Sequence, residues 1–200
     1  MPDLSIKPAI IADTLAEEII RGDLVQGARL AQDHIAARFQ CSHVPVREAL
    51  QRLVQMELAT AIPRKGARVF KLSDQDHGEI LEMRLSLEPL ALRRAVTRAT
   101  SQDYENMEVS RHACDQAKDP ISWERANRLF HLAILQPCDR PRLLSQIEQL
   151  QRLSAIRFHT RWKTTWSHTS DADHSAILKA IKRADEKAAC AILVRHLSRG

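Results

Sequence analysis

The chain has 200 residues, enough for one large domain or two small ones. Hydrophobic residues make up 44% and charged residues 28%, which argues against a mainly disordered chain, and no apolar run reaches the roughly 18 residues of a membrane span. The net charge of +5 is by itself a weak pointer to an anionic partner such as nucleic acid.

Met1-Pro2-Asp3-Leu4 shows no basic segment leading into an apolar core, so no secretory signal is expected. Cys41, Cys114, Cys138 and Cys190 lie far apart and form no CxxC pair. They read as reduced thiols in a cytoplasmic protein. The positive charge is concentrated. From Arg38 to Lys71 there are seven basic residues against two acids, Glu48 and Glu57, an excess equal to that of the whole chain. A solvated basic face would look the same, so the pattern around these residues has to decide.

Ile11, Leu15 and Ile19 recur at helical spacing and predict a helix over about 9–21. Gly22 and Gly27 bracket a loop. A short helix follows over 32–39, with Ile35 and Phe39 turned inward, and the polar run Gln40-Cys41-Ser42-His43 ends it. Ser42 is placed to cap a third helix, with Pro45 in the first turn, where proline is tolerated. The stripe Val46, Ala49, Leu50, Leu53 fixes that helix to its domain and leaves His43, Val44, Arg47 and Gln51 facing outward. Residues 59–62 and 67–70 are strand-like. Between them Pro63-Arg64-Lys65-Gly66 makes a turn with two cations at its tip. Lys71-Leu72-Ser73 reads as a linker.

Beyond it six helical segments are predicted, over roughly 76–97, 101–117, 121–135, 141–161, 172–183 and 185–198. Pro89 should kink or split the first. Thr100 and Asp103 occupy the positions of a capping box on the second. The expected fold is mainly α. A winged helix-turn-helix over 1–73, with three helices and a β-hairpin wing, precedes an all-α bundle of about six helices over 74–200.

Helix, short helix, turn, helix and cationic hairpin is the order needed to put outward side chains on base edges in a major groove, with the wing on phosphates or in a minor groove. Pro45-Val46-Arg47-Glu48-Ala49-Leu50-Gln51-Arg52-Leu53 followed by Pro63-Arg64-Lys65-Gly66-Ala67-Arg68-Val69 resembles the DNA-binding domain of GntR-family regulators. The resemblance assigns DNA contacts to Gln32, Arg38, Ser42, His43, Val44, Arg47, Gln51, Arg64, Lys65 and Gly66. Arg47 is the strongest candidate for a base or phosphate, the alternative being a surface ion pair. The sequence departs from the family at His43, where an arginine is usual, and at Asp33, where a cation or neutral polar residue is usual.

The second part resembles the FCD effector domain of the FadR subfamily, in its shorter VanR-like branch. The similarity runs through Glu82-Met83-Arg84-Leu85-Ser86-Leu87-Glu88, Asn127-Arg128-Leu129-Phe130-His131, His174-Ser175-Ala176-Ile177 and Arg195-His196-Leu197. Asn127 and His131 share a helix face, and His174 and His196 sit on inward stripes. Three imidazoles and one amide oxygen suit a divalent transition metal such as zinc or nickel. Taken singly, each histidine reads better as a hydrogen-bonded core residue; the resemblance selects the four positions together. His77, His112, His159 and His168 have no such match. The family position at 127 is commonly aspartate, so Asn127 removes a charge and leaves the ion attractive to a carboxylate. The resemblance places Arg84 toward the pocket, where it would grip an anionic group, the alternative being a pair with Glu88.

The expected function is a ligand-responsive, homodimeric repressor that binds a palindromic double-stranded DNA operator and senses a small carboxylate. Two alternatives stand beside it: a metal-dependent enzyme using the histidine cluster, and a DNA-binding protein whose helical domain only dimerises. No HExxH, glycine-rich phosphate loop or GxSxG supports the enzyme.

Overall fold

The computed structural model describes residues 7–63, 66–162 and 172–199. The chain divides into two compact units, Met1–Asp74 and Gln75–Gly200.

In the first unit, α1 (Pro8–Arg21) starts on a proline and buries Ile11, Ala12, Leu15, Ala16, Ile19 and Ile20, the one-sided pattern of an amphipathic helix. α2 (Gln32–Phe39) buries Ile35 and Ala36. Phe39, expected inward, is only half-buried, and the Arg38 guanidinium lies 5.0 Å from its ring centroid. α3 (His43–Gln55) buries the expected stripe of Val46, Ala49, Leu50 and Leu53 and packs on α1. Ser42 stands at the N-cap position as read from the sequence, but its side chain makes no capping hydrogen bond.

The strands β1 (Arg29–Leu30), β2 (Ala59–Ile62) and β3 (Gly66–Val69) form an antiparallel sheet in the order β1-β3-β2. β2 and β3 are the hairpin of the wing, paired from Ala59–Val69 to Ile62–Gly66. β1 was not foreseen, because two residues are too few for alternation to show; it pairs Arg29 with Arg68 and Leu30 with Ala67. Gly66 is required there. Its φ is +88°, and a Cβ would lie 3.0 Å from the Leu30 carbonyl oxygen.

In the second unit the six expected helices form: α4 (Asp74–Val96), α5 (Ser101–Gln116), α6 (Pro120–Leu135), α7 (Pro141–Trp162), α8 (Ala172–Lys182) and α9 (Glu186–Leu197). A 3-10 turn, Gln136–Cys138, follows α6. α5 packs on α6, α6 on α7, and α8 on α9. Leu92, Met107, Phe130, Ile134, Ile147, Ile177, Ile181 and Leu193 lie in the shared core. Pro89 does not split α4, which is helical on both sides of it. An interior proline costs about 3 kcal/mol. Here the residue is buried, and Ala91, Leu92, Ala95 and Val96 beyond it are buried too, so packing holds the helix together. The Thr100–Asp103 capping box is complete, with the Asp103 amide on Thr100 Oγ1 at 3.3 Å and the Thr100 amide on Asp103 Oδ2 at 2.8 Å. No helix among the described residues is long and apolar enough to cross a membrane.

Candidate nucleic-acid interface and candidate metal centre

Burying one stripe of α3 determines what the rest of it presents. His43, Val44, Arg47 and Gln51 are exposed, as are Glu48 and Arg52. Arg47 has no ion pair among the described residues. His43 Nδ1 lies 3.7 Å from Asp33 Oδ1 on α2, and Gln32 is half-buried at the start of α2. Gly66 opens β3, while Arg64 and Lys65 lie outside the described residues.

Arg38, a candidate DNA contact in the sequence, is engaged within the first unit. Its guanidinium forks onto Glu18 of α1, Nη1 to Oε2 at 2.8 Å and Nη2 to Oε1. The fork holds the Glu18 carboxyl below its ordinary range and raises the arginine. The bidentate pair uses two of the guanidinium donors and ties α2 to α1. The two residues are 20 apart, and no spacing rule on one helix could have linked them. Arg68 likewise turns back, donating from Nη1 to the Gly27 carbonyl at 3.0 Å and fixing the base of the wing.

The second unit carries a different kind of site. His131 on α6, His174 on α8 and His196 on α9 bring their ligating atoms within 4.8 Å of one another. His131 Nε2 and His196 Nε2 are 3.1 Å apart. The Phe130 ring packs 4.3 Å from His174, centroid to centroid. Burial, with the neighbouring histidines, pushes His174 down to about 2 and His196 down to about 3. Both are therefore neutral at physiological pH, the form in which imidazole binds a metal. Asn127 sits one turn before His131, and its Oδ1 is buried with no hydrogen-bond partner among the described residues.

Behind the histidines stands a layer of carboxylates that the sequence reading missed. Glu88 is fully buried, with Oε2 3.3 Å from His131 Nδ1. Its Oε1 accepts from Arg84 Nε at 2.7 Å and from Gln151 Nε2 at 3.2 Å. Burial alone would raise this carboxyl, yet the Arg84 charge and the His131 contact hold it down at about 2. Asp173 lies 3.9 Å from His196 Nδ1 and accepts from Arg195 and from Arg199. Arg84 also donates to Ser154 Oγ at 2.9 Å. The pairing with Glu88, read from the sequence as the alternative to a pocket role, is thus present. One signal was available: Glu88 falls on the stripe of Leu81, Leu85, Leu92 and Ala95, where an acid is out of place. His159, set aside in the sequence, is also buried, with Nε2 3.9 Å from Glu124 Oε2, whose carboxylate pairs with Arg128.

The donor set fits a divalent transition metal. His131 Nε2 and His196 Nε2, 3.1 Å apart, are close enough for one ion to be held by both at the usual metal–nitrogen length of about 2.0–2.1 Å. Glu88 stands 3.3 Å behind His131 Nδ1, Asp173 stands 3.9 Å behind His196 Nδ1, and the two Nε2 atoms face each other at hydrogen-bond distance. A cation held between the two Nε2 atoms would take the place of that contact, and one turn from His131 the Asn127 oxygen is buried without a hydrogen-bond partner among the described residues.

A winged helix with an exposed recognition face, followed by an all-helical domain, defines a class of DNA-binding regulators. Residues 9–69 match the bacterial regulatory proteins of the gntR family, and residues 79–199 match the FCD domain. The transcriptional repressor GlaR of Escherichia coli (strain K12) is 28% identical over 196 residues, covering 92% of this chain and 89% of that protein. The regulator BphR of Paraburkholderia xenovorans (strain LB400) is 30% identical over 188 residues, covering 86% and 76%. Among solved structures, E. coli McbR superposes with a TM-score of 0.83 at 27% identity, covering 96% of this chain and 93% of that one. The chain belongs to the GntR family, in the branch that carries an FCD domain, and is a DNA-binding transcription regulator rather than an enzyme.

Proposed function

We propose that this regulator is a cytoplasmic repressor that binds a palindromic operator as a homodimer and senses a small carboxylate at a metal held by Asn127, His131, His174 and His196. The observation that carries this reading is the meeting of three histidine side chains from three helices in one centre, with two rings held neutral by burial. Some FCD domains hold a metal, and the repressor names of GlaR and of the gluconate operon relatives support repression. On this reading Arg47, Gln51, His43 and Val44 meet bases or phosphates, with Ser42 and Gln32 beside them and the wing residues Arg64, Lys65 and Gly66 along the backbone. Two half-sites on a palindrome call for two copies of the winged helix.

The metal, zinc or nickel, supplies a positive centre with open positions for a carboxylate. All four ligands are neutral, so the chain's own residues leave that charge for the effector to meet. Arg84 contributes through its charge, which reaches His196, rather than as an uncommitted clamp, because Glu88 and Ser154 already occupy two of its nitrogens. A carboxylate that favours one arrangement of the bundle changes the spacing of the two recognition helices, transmitted through the connection at Lys71-Leu72-Ser73. Coupling of about 1–3 kcal/mol changes operator affinity roughly five- to 150-fold.

The test starts from metal-loaded protein screened with small carboxylic acids for a rise in melting temperature. Operator binding is then measured at fixed salt with and without a carboxylate that binds. Weakened binding at saturation is expected. Unchanged affinity favours a helical domain that only dimerises.

A further inference from the structure

Beside the histidine cluster lies a buried carboxylate, Glu88, to which the proposed function gives no role. We propose that Glu88 is the positioning residue of the centre: it holds His131 as the Nδ1–H tautomer and thereby presents Nε2 as the metal donor. The inference rests on the metal reading above and adds to it a residue that sets the orientation and basicity of one ligand.

The carboxylate is itself held in place. Arg84 from α4 and Gln151 from α7 both donate to Oε1, which leaves Oε2 directed at His131 on α6. Neither Oε2 nor His131 Nδ1 has another hydrogen-bond partner among the described residues. Glu88 is fully buried and His131 nearly so, so water does not relieve either atom. A neutral imidazole carries one N–H. Placed on Nε2, it would leave the Nδ1 lone pair against an anion at 3.3 Å. Placed on Nδ1, it satisfies the carboxylate and frees the Nε2 lone pair toward His196 and the centre of the cluster. An anion behind a ligating imidazole also raises its basicity toward the metal.

Asp173 stands behind His196 in the same sense, but at 3.9 Å and committed to two arginines, so Glu88 is the closer of the two partners. The role matters more here than it would with an aspartate at 127. Asn127 brings no charge, and with four neutral ligands the basicity of His131 is one of the few means left to strengthen the site.

Two measurements decide. In metal-free wild-type protein, two-bond proton–nitrogen correlation spectra of the histidine rings should show His131 as the Nδ1–H tautomer. A His131 that carries its proton on Nε2 overturns the proposal, and no variant is needed to see it. For Glu88→Gln, checked for folding by circular dichroism, chelator competition with zinc and with nickel should show binding weakened by about ten- to 100-fold. His131 should then populate both tautomers, a change that mere loss of packing would not produce. Binding as tight as wild type, with the tautomer unchanged, overturns the proposal. A wild-type protein that takes up neither metal overturns the metal reading and this inference together, whereas uptake by wild type with equal affinity in Glu88→Gln overturns this inference alone.

Discussion

Arg47 and Arg84 are the same residue type in opposite circumstances. Arg47 stands exposed on α3 with no ion pair among the described residues. Arg84 is largely buried on α4, bonded to Glu88 and to Ser154. The contrast extends to their surroundings. The buried face of α3 is wholly apolar, whereas the buried positions of the bundle include Glu88, Glu124, His131, Gln151, His159, Asp173 and His174. A surface that meets DNA keeps its charges outward and available, and the domain beneath it needs only a hydrophobic core. A centre that holds a cation has to carry polar groups inside, and each buried charge there needs a partner.

The largest effect should come from breaking the buried pair. Arg84→Ala leaves the Glu88 carboxylate without its cation and should cost about 3–5 kcal/mol in urea-unfolding stability. A loss near zero would mean that the two arginines are not so different. Next, Arg47→Ala should weaken specific operator binding by about 1–3 kcal/mol in a gel-shift titration. Its melting temperature should stay at the wild-type value, because an exposed, unpaired side chain contributes little to stability. Wild-type operator affinity in that variant removes α3 as the reading helix. Asn127→Asp puts a charge into the proposed ligand set and should tighten metal binding about tenfold, ~1.4 kcal/mol, by chelator competition.

The smallest effect concerns the surface cap on α5. Thr100→Ala should cost about 1 kcal/mol. Thr100 hydrogen bonds lower the Asp103 carboxyl. The stabilisation from that charge is therefore complete above the unfolded aspartate value, about 3.9, and is lost as pH falls through the lower folded value. The difference between variant and wild type, followed by thermal melts, should narrow on acidification below that value.

The same contrast explains what the sequence made legible. Apolar spacing at helical period marked α1 and α3, and the stripe of Val46, Ala49, Leu50 and Leu53 left the outward residues of α3 by subtraction. Local signals sufficed for Thr100–Asp103 as well. What stayed hidden depends on residues distant in the chain. The fork of Arg38 on Glu18, the pairing of β1 with β3, and the contact of Glu88 with His131 join segments that no spacing rule connects. Three histidines on inward stripes could be named from the sequence, but the carboxylates that stand behind two of them could not. Pro89 misled for a related reason: local preference argued for a break, and burial of the residues around it prevailed.

On the proposed function the buried histidines His131, His174 and His196 form a metal centre. The deciding measurement is elemental analysis of the 200-residue protein purified without chelator, followed by titration with zinc and with nickel. Close to one transition metal per chain is expected, retained through gel filtration and lost in His174→Ala. Wild-type protein that is empty as purified and stays empty after titration with both ions would contradict it.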